Sequence, residues 1–469
     1  MTAGPAGAGV GPPAPDGRAR RARWAIIAVP GVLYFLSYFH RIAPVVVAGD
    51  LMRAFNASAS AVGNLSAIYP YCFAAMALPG GSLADSLGPR RTLTLGALGM
   101  SLGSILFALA PSFGWAFTGR LLVGLGASVV LLAWLRLAAE WFRPNEFATI
   151  SGLSQSVGSV GGLVGTTPLA LLVEEAGWRG SFLAIGAATL AVAVLCLVMV
   201  RDRPADLGLP PVTPDRPAAA PSLRAVLAGI PSVGRNPRTW VAVLTSTGVY
   251  SAFLAFFGLW GVGYLTQVYG LTRVTAANLV ALGALGLLVS APLVGWLSDR
   301  VLGRRRLPLL VITGLYAAAW ALLALPGAPI PAGWLGPVCF ALGVGSGAVV
   351  VVFALVREVN DPRYVGVALG FHNLPVFLGF ALMQWLTGAV LDARWDGLTA
   401  AGARVYSAAA YRSAFLLCLA VAVGSFACAW LVTETRCRNV WAPPRGAERP
   451  ARPAGGPPPT RRPPGPPTD

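Results

Sequence analysis

Residues 81–91 read GSLADSLGPRR, and residues 295–306 read GWLSDRVLGRRR. Each stretch follows an apolar segment and carries two glycines, an aspartate and paired arginines in the same order. The interval from Gly81 to Gly295 equals the interval from Trp24 to Arg238, where the apolar series of the two halves begin. A constant separation of this kind indicates an internal repeat, so we predict two related halves in parallel orientation.

Apolar segments of membrane-spanning length surround both copies. The chain has 469 residues, of which 56% are hydrophobic and 11% charged, and its mean hydropathy is +0.67. A soluble domain carries about 25% charged residues, so this composition excludes a compact soluble enzyme. Because a helix needs about 20 apolar residues to cross a bilayer, we predict an all-α membrane protein with twelve transmembrane helices in two six-helix pseudo-repeats. The predicted spans are 24–49, 59–83, 92–111, 115–140, 147–173, 181–200, 239–267, 274–298, 307–327, 332–356, 365–391 and 412–433.

Proline-rich and charged segments divide the chain into five parts. We expect a disordered cytoplasmic tail at 1–23 and a disordered, Pro-rich cytoplasmic tail at 435–469, because neither has enough apolar surface to fold. The two six-helix bundles are predicted at 24–200 and 238–434. A cytoplasmic linker rich in Pro, Asp and Arg joins them at 201–237.

The arginines are distributed unequally between the two sides of the predicted bundle. All 35 basic residues are Arg, against 18 acids, and the net charge is +17. When both termini, the linker and alternate loops are placed on one side, that side receives 26 arginines and the other side seven. Cytoplasmic loops carry the excess of Arg, so we expect both termini to be cytoplasmic, in a plasma membrane or bacterial inner membrane. Charge between apolar segments sets topology and gives no indication of a nucleic-acid partner.

Residues suited to metal, cofactor or covalent chemistry are scarce. The six cysteines show no paired spacing, and the two histidines of the chain are His40 and His372, so no metal site is expected. No nucleophile, base and orienting residue occur at suggestive spacing, and the sequence shows no nucleotide-binding domain. We therefore expect no catalytic residue, no cofactor and no use of ATP, which excludes an enzyme.

The repeated loop is similar to the hallmark of the major facilitator superfamily of secondary transporters, a G-x-L-x-D-x-x-G-[RK]-[RK] loop that follows the second helix and is often echoed after the eighth. The resemblance covers about residues 24–434 and implies two bundles that rock around a central site. It also implies that the loop is a conformational latch; the alternative is a charged loop that only fixes topology. The residues that would gate or couple transport in this way are Asp85, Arg90, Arg91, Asp299, Arg300 and Arg304.

A charged side chain falls inside the fourth predicted span. Arg120 begins the sequence RLLVGLGA, which resembles the superfamily pattern R-x-x-x-G-x-G-A and includes Gly124. An ionised side chain within a bilayer is costly unless it faces a cavity or a partner. The resemblance ties Arg120 and Gly124 to gating or coupling, and the alternative is a structural arginine bonded to backbone carbonyls.

A polar stripe in the first span is the main candidate for contact with a substrate. Tyr34, Ser37, Tyr38 and Arg41 recur on one helical face, and the resemblance implies that helices one, four, seven and ten line a central cavity. Arg41 has an alternative role as an anchor that extends to the outer headgroups. The other candidate substrate-binding residues are Tyr250, His372 and Asn373, for which hydrogen bonding between helices is the alternative.

The segment FHRIAP around Arg41 also resembles the first helix of organophosphate and organic-anion permeases. Those permeases use a second arginine in the seventh helix, and residues 239–267 contain none. A single carboxylate therefore fits better than a phosphate dianion. None of the 18 acids lies in the middle of a predicted span, which disfavours lipophilic cations as substrates.

These features predict a secondary active transporter that moves a small organic solute, anionic or zwitterionic, by alternating access across the lipid bilayer. Uptake by proton symport is the working hypothesis, and the resemblance suggests a monomer. The alternatives are a proton-coupled multidrug efflux pump and, in another class, a membrane sensor that keeps the fold but moves no solute.

Overall fold

The computed structural model describes residues 17–77, 79–142, 144–210, 223–400 and 402–441, and most of them are helical. The helices of the first half are α1 (Gly17–Ile42), α2 (Pro44–Phe55), α3 (Ala59–Met76), α4 (Pro79–Leu87), α5 (Pro89–Ala108), α6 (Phe113–Ser128), α7 (Val130–Trp141), α8 (Pro144–Val164) and α9 (Thr167–Met199). The helices that follow are α10 (Leu223–Gly234), α11 (Pro237–Ala255), α12 (Gly261–Tyr269), α13 (Arg273–Trp296), α14 (Arg306–Ala324), α15 (Leu335–Ser346), α16 (Ala348–Val359), α17 (Val365–Ala393) and α18 (Ala408–Leu431).

Shorter elements connect these helices. Single 3-10 turns cover Pro204–Leu207, Ala332–Trp334 and Pro362–Tyr364, and π-helical turns cover Phe256–Trp260 and Leu297–Leu302. The strands β1 (Thr399–Ala400) and β2 (Ala403–Arg404) form an antiparallel hairpin. This hairpin is a small exception to the predicted all-α fold.

Ten helical stretches within the described ranges are long and apolar enough to cross a membrane. They establish a multi-pass helical membrane protein. One stretch runs for 44 residues from Ser156 to Met199, and it is broken at Gly177, whose φ of +69° favours glycine. The second predicted span corresponds to α3 and α4, on either side of Leu78, which lies outside the described residues.

The segments outside the two bundles are more regular than the sequence indicates. Helix α1 begins at Gly17, inside the tail predicted at 1–23, because the arginines that precede the apolar segment are themselves good helix formers. The linker predicted at 201–237 contains a 3-10 turn and α10. A methyl group at Gly229 of α10 would lie 2.8 Å from the ring of Tyr364, so this helix packs directly on the second half.

The chain after α18 also packs on the second half. The predicted bundle ends at residue 434, but the backbone N–H of Val440 donates a hydrogen bond to the carbonyl of Glu358 at 2.8 Å. Asn439 donates to the carbonyl of Asn360 at 2.9 Å. The remaining part of the predicted tail, 442–469, lies outside the described residues.

Helices α3 and α17 form the largest contact between the two halves. A methyl group at Gly63 would lie 2.5 Å from the carbonyl oxygen of Gln384, and one at Gly388 would lie 2.5 Å from that of Ala59. The two helix backbones therefore touch, which small residues permit.

The two ends of the bundle differ in how the halves meet. We call the end that carries residues 81–91 and 295–306 the motif face, and the other end the opposite face. One apolar core cluster contains residues of both halves and lies toward the opposite face, whereas the other two clusters each belong to one half.

Polar contacts also join the halves at the opposite face. The carboxylate of Asp392 accepts hydrogen bonds from the backbone N–H groups of Ala59 at 3.0 Å and Ser60 at 2.7 Å, at the start of α3. Arg273 pairs with Asp50 at 3.0 Å. The structure is therefore closed at the opposite face.

Candidate functional site

The guanidinium of Arg41 lies in the interior of the bundle, among aromatic rings from both halves. Arg41 is 6% exposed, and its Cζ lies 4.2 Å from the ring centroid of Tyr38, 5.1 Å from that of Phe73 and 5.6 Å from that of Phe377. A cation within about 6 Å of a ring face is attracted to it. This placement differs from the headgroup anchor that was the alternative role for Arg41.

Arg41 has no acidic partner among the described residues. Among the residues that the structure describes, no carboxylate forms an ion pair with this guanidinium. Its Nε is buried without a hydrogen-bond partner. A buried charge in this condition is costly unless a further partner arrives, so Arg41 is suited to receive an anion.

Tyr69 in α3 links Arg41 to a second buried guanidinium. The centroid of the Tyr69 ring lies 5.7 Å from Cζ of Arg41 and 5.8 Å from Cζ of Arg120. Ser37 fixes the phenol, whose O–H donates to the Ser37 carbonyl at 2.8 Å. Two positive charges thus share one aromatic ring.

Arg120 is only partly satisfied by the protein. Its Nη1 donates to the carbonyl oxygen of His40 at 3.1 Å, as the structural alternative requires. Its Nε and Nη2, however, are buried without partners. The His40 ring nitrogens are also buried without partners, and the ring lies 6.2 Å from that of Phe182 in α9.

The predicted stripe on α1 comes together in the structure. The rings of Tyr34 and Tyr38 are 5.1 Å apart, and Tyr34 lies 5.5 Å from the ring of Trp134 in α7. Gly158 of α8 leaves room for both tyrosines, since a methyl group there would lie 2.9 Å from the Tyr38 ring. Tyr34 is buried and Tyr38 half-buried, so Tyr38 and Arg41 face the interior space while Tyr34 packs behind them.

Tyr250 reaches the same region from the second half, whereas Oδ1 of Asn373 lies 3.4 Å from Nδ1 of His372. The Tyr250 hydroxyl interacts with the Arg41 guanidinium. Asn373 lies one helical turn from Phe377 on the same face of α17. Tyr250, Asn373 and Phe377 are all half-buried, although they lie well inside their helices. This partial exposure indicates an interior space between the halves.

His372 has a different environment. Its Nε2 lies 2.7 Å from Oγ of Ser246 in α11, and its ring packs 4.8 Å from that of Phe353 in α16. It therefore joins α11, α16 and α17, which matches the alternative of hydrogen bonding between helices. The structure does not bring His372 to Arg41.

The first motif loop is bonded within its own half. The side chain of Arg90 donates to the carbonyl of Leu197 in α9 at 3.0 and 2.6 Å, and its backbone N–H donates to Asp202 at 2.7 Å. Arg91 is exposed. The side chain of Asp85 lies outside the described residues.

The second motif loop is organised around Arg305 rather than around the predicted Arg300 and Arg304. The Arg305 guanidinium pairs with Asp299 and, at 2.7 Å, with Glu358 of α16. Arg300 and Arg304 are exposed. Burial alone would lower the pKa of Arg305, but hydrogen bonds to the two carboxylates raise it above its ordinary value. Gly303, which precedes the three consecutive arginines, has a φ of +55° and reverses the chain. This reversal turns Arg305, the second of the three arginines, inward.

Glu434 fastens the chain after α18 to the second motif loop. Its carboxylate accepts hydrogen bonds from the backbone N–H groups of Arg305 at 2.9 Å, Arg306 at 3.0 Å and Arg436 at 2.9 Å. Burial acts to raise the pKa of Glu434, and the backbone donors outweigh it, so the pKa lies below its ordinary value. All of these partners belong to the second half. The described contacts of each motif loop therefore stay within the half to which that loop belongs.

Sequence reasoning did not identify Tyr69, Phe73 and Phe377. Tyr69 and Phe73 are one helical turn apart, and their rings stack at 4.8 Å. Gly124 brings α6 close to this segment, because a methyl group there would lie 3.2 Å from Cα of Tyr69. The one available signal was the spacing of Phe377 from Asn373, since aromatic residues in an apolar helix do not otherwise reveal which way they face.

A multi-pass helical bundle of two halves, with the Arg41 guanidinium enclosed between them, is an architecture typical of membrane transporters of small solutes rather than of enzymes. Within the described ranges, no three His, Cys, Asp or Glu side chains cluster as metal ligands would. The chain belongs to the Major Facilitator Superfamily, whose sequence profile matches residues 31–383 and, in a second match, residues 262–464.

The relatives of this chain are named as sensors and as probable transporters. The membrane sensor protein UhpC of Salmonella typhimurium is 26% identical over 423 residues, which cover 86% of this chain and 92% of that protein. The probable nitrate/nitrite transporter NarK2 of Mycobacterium tuberculosis is 31% identical over 327 residues, covering 66% of this chain and 75% of that protein. The probable L-galactonate transporter of Escherichia coli is 26% identical, covering 68% and 73% respectively.

A solved structure shares the fold. It is a bacterial homologue of the human lysosomal transporter Spinster, in an inward-facing and unoccupied conformation, with a TM-score of 0.70. The alignment covers 90% of this chain and 98% of that one at 17% identity. The likeness supports the fold and carries no information on the substrate.

Proposed function

We propose that this protein is a secondary active transporter that moves a small organic anion by alternating access. The observation that carries the proposal is Arg41, a buried guanidinium among side chains of both halves that forms no ion pair with an acid in the part of the chain that the structure describes. An anionic solute would supply the missing partner, and it would contact both halves at once. Such contact is what couples binding to the relative movement of the halves.

The names of the relatives agree with an anionic solute. They include a probable nitrate/nitrite transporter, a probable L-galactonate transporter and a probable sulfoacetate transporter. Arg120 adds a second positive charge beside Tyr69. A zwitterion would bring its own cation close to these two guanidiniums, so we narrow the predicted solute to an anion.

The architecture that we propose has twelve spans in two six-helix repeats. The break at Gly177 divides α9 between two spans, and α3 with α4 supplies another. The excess of arginine on the motif face favours a cytoplasmic position for that face and for both termini, in a plasma membrane or bacterial inner membrane. We propose a monomer.

Gating is proposed to involve the motif loops. The inter-half contacts of the opposite face would be exchanged for contacts at the motif face when the transporter turns over. For the second loop we propose Asp299, Arg305 and Glu358 as the residues that change partners. Arg90 and Arg91 of the first loop, with Asp85, remain proposed gating residues, and Arg120 with Gly124 would couple α6 to the site.

Uptake into proteoliposomes tests the proposal. The purified protein is reconstituted, and uptake of radiolabelled carboxylates is measured with and without an inward proton gradient. Arg41→Ala should reduce uptake by about tenfold to 150-fold, because a hydrogen bond to a charged group contributes about 1.5–3 kcal/mol. Arg394→Ala, which removes an exposed arginine, serves as the matched control. Equal uptake by wild type and Arg41→Ala would refute the role of Arg41, and stimulation by the gradient would support proton symport.

A sensor is the second candidate function. The relatives that cover 86% of this chain carry the name membrane sensor protein. A sensor would bind the carboxylate, lose binding in Arg41→Ala, and show no uptake at any gradient. Uptake would reject it. Binding of a lipophilic cation such as tetraphenylphosphonium, with no binding of carboxylates, would instead favour an efflux pump.

A further inference from the structure

We infer that the anion carries a flat aromatic body, which inserts between Phe73 and Phe377 while its carboxylate pairs with Arg41. The inference rests on the proposed function, because it concerns the substrate class of the same site. It distinguishes an aromatic carboxylate from a hydroxyl-rich sugar acid of similar size and equal charge.

The first step is the state of the hydroxyl groups around the site. The Tyr69 phenol is held by Ser37, and the Ser251 hydroxyl, next to Tyr250 in the chain, donates to the Gly248 carbonyl at 3.2 Å. A sugar acid presents a hydroxyl on nearly every carbon, and each needs a partner when it leaves water. Most of the nearby hydroxyls are already bonded within the protein.

The hydroxyls of Thr245 and Thr247 in α11 are not available to a solute either. Thr245 donates to the Val241 carbonyl at 2.9 Å. The Thr247 hydroxyl oxygen has no partner, but it is buried. The Thr247 side chain packs against Gly379, because a methyl group at Gly379 would lie 2.6 Å from Cγ2 of Thr247. The guanidiniums, Tyr38 and Tyr250 therefore stand available to a solute, whereas Oδ1 of Asn373 already lies 3.4 Å from Nδ1 of His372.

The second step is the character of the surface that remains. Four rings surround the Arg41 guanidinium, with centroids 4.2 to 5.7 Å from its Cζ, and they belong to Tyr38, Tyr69, Phe73 and Phe377. Aromatic rings bind other rings in stacked or edge-on arrangements. A surface of rings around one charge matches a solute that has a carboxylate at one end and a flat apolar body.

Phe73 and Phe377 are in contact with each other and lie on either side of the boundary between the halves. Their centroids are 5.1 Å apart with an angle of 35° between the ring planes, and one ring belongs to each half. Arg41 Cζ lies 5.1 Å from the first and 5.6 Å from the second, so the guanidinium is nearly equidistant from both. A ring inserted between them would keep both faces covered, and its carboxylate would point at Arg41.

This arrangement also gives the aromatic body a role in transport. The Phe73–Phe377 contact spans the two halves. A solute ring would replace that contact with two, one to each half. The solute would then be held jointly by both halves, whereas a smaller carboxylate would pair with Arg41 and leave the two rings in contact.

The experiment compares ligands of equal charge on the purified full-length protein in detergent. Binding of benzoate, cyclohexanecarboxylate and gluconate is measured by isothermal titration calorimetry. Benzoate and cyclohexanecarboxylate have the same carbon count and the same charge, but only benzoate is flat. We expect benzoate to bind about threefold to tenfold more tightly than cyclohexanecarboxylate, and gluconate to bind most weakly.

Phe377→Leu supplies the site-specific arm, because leucine keeps the apolar character and removes the ring. It should abolish the preference for benzoate over cyclohexanecarboxylate. Phe371→Leu is the matched control on the same helix, since the Phe371 ring packs 5.1 Å from Trp240. The wild-type comparison stands without either variant, should one of them fail to fold.

The outcomes separate the two proposals. Equal binding of benzoate and cyclohexanecarboxylate, or tighter binding of gluconate, overturns the aromatic inference while leaving an anion transporter intact. Loss of the benzoate preference in Phe371→Leu together with its retention in Phe377→Leu also overturns it. Absence of binding by all three carboxylates, or binding that Arg41→Ala leaves unchanged, overturns the proposed function itself.

Discussion

Asp392→Asn is expected to loosen the contact between the halves at the opposite face. The carboxylate accepts hydrogen bonds from Ala59 N at 3.0 Å, Ser60 N at 2.7 Å, Tyr406 OH at 2.8 Å and Arg404 Nη1 at 3.1 Å. An amide keeps one acceptor oxygen, loses the charge and turns an NH₂ group toward the other donors. Hydrogen bonds to charged groups contribute about 1.5–3 kcal/mol each. We therefore expect a cost of about 2–3 kcal/mol, or about 30- to 150-fold in the equilibrium between closed and open.

Hydrogen–deuterium exchange measured by mass spectrometry reports this equilibrium directly. The peptide that begins near Ala59 should exchange faster in Asp392→Asn by up to the same factor, because its first amides are protected by the carboxylate. Asp396→Asn makes the same change of charge at an exposed position just after α17 and should leave the rate unchanged. If the two variants exchanged alike, the Asp392 contact would contribute nothing to closure and the reasoning would be refuted.

Two further predictions concern packing and pH. Gly63→Ala should lower the apparent melting temperature by several degrees, because overpacking costs about 1–3 kcal/mol. The control is Gly370→Ala, which adds its methyl group to open space. A larger loss of melting temperature in Gly370→Ala would contradict the close approach of α3 and α17. The lowered pKa of Glu434 means that its carboxylate stabilises the folded state above the ordinary value of 4.5, and that this contribution is lost as the pH falls through the folded-state pKa. Thermal stability should therefore decline more steeply below about pH 4.5 in wild type than in Glu434→Gln, and parallel curves would show that the three backbone contacts are unimportant.

The sequence predicts those features that depend on one helix. Tyr38 and Arg41 are three residues apart, so a single helix brings them to one face whatever surrounds it. The structure accordingly places Tyr38 over the Arg41 guanidinium. The multi-pass helical architecture was predictable for the same reason, because apolar length alone requires it.

Features that depend on two helices were out of reach. Phe73 and Phe377 belong to different halves of the chain, and no local pattern in either helix indicates that they meet. Asp392 similarly lies at the end of α17, where its carboxylate reads as an ordinary helix-end charge, although two of its partners lie at the start of α3. Such contacts follow from how α3 and α17 cross, which one sequence does not reveal.

The π-helical turn Leu297–Leu302 has an evolutionary consequence. The interval between the second glycines of the two motif stretches, Gly88 and Gly303, is one residue longer than the interval between the first glycines, Gly81 and Gly295. A π-helical turn holds one residue more than an α-helical turn between the same hydrogen-bonded ends. The additional residue between the aspartate and the second glycine is thus accommodated within a helix. An insertion of one residue in an ancestor of the second half would leave this trace, and comparisons of the two halves should place the gap inside the helix rather than in the loop that follows.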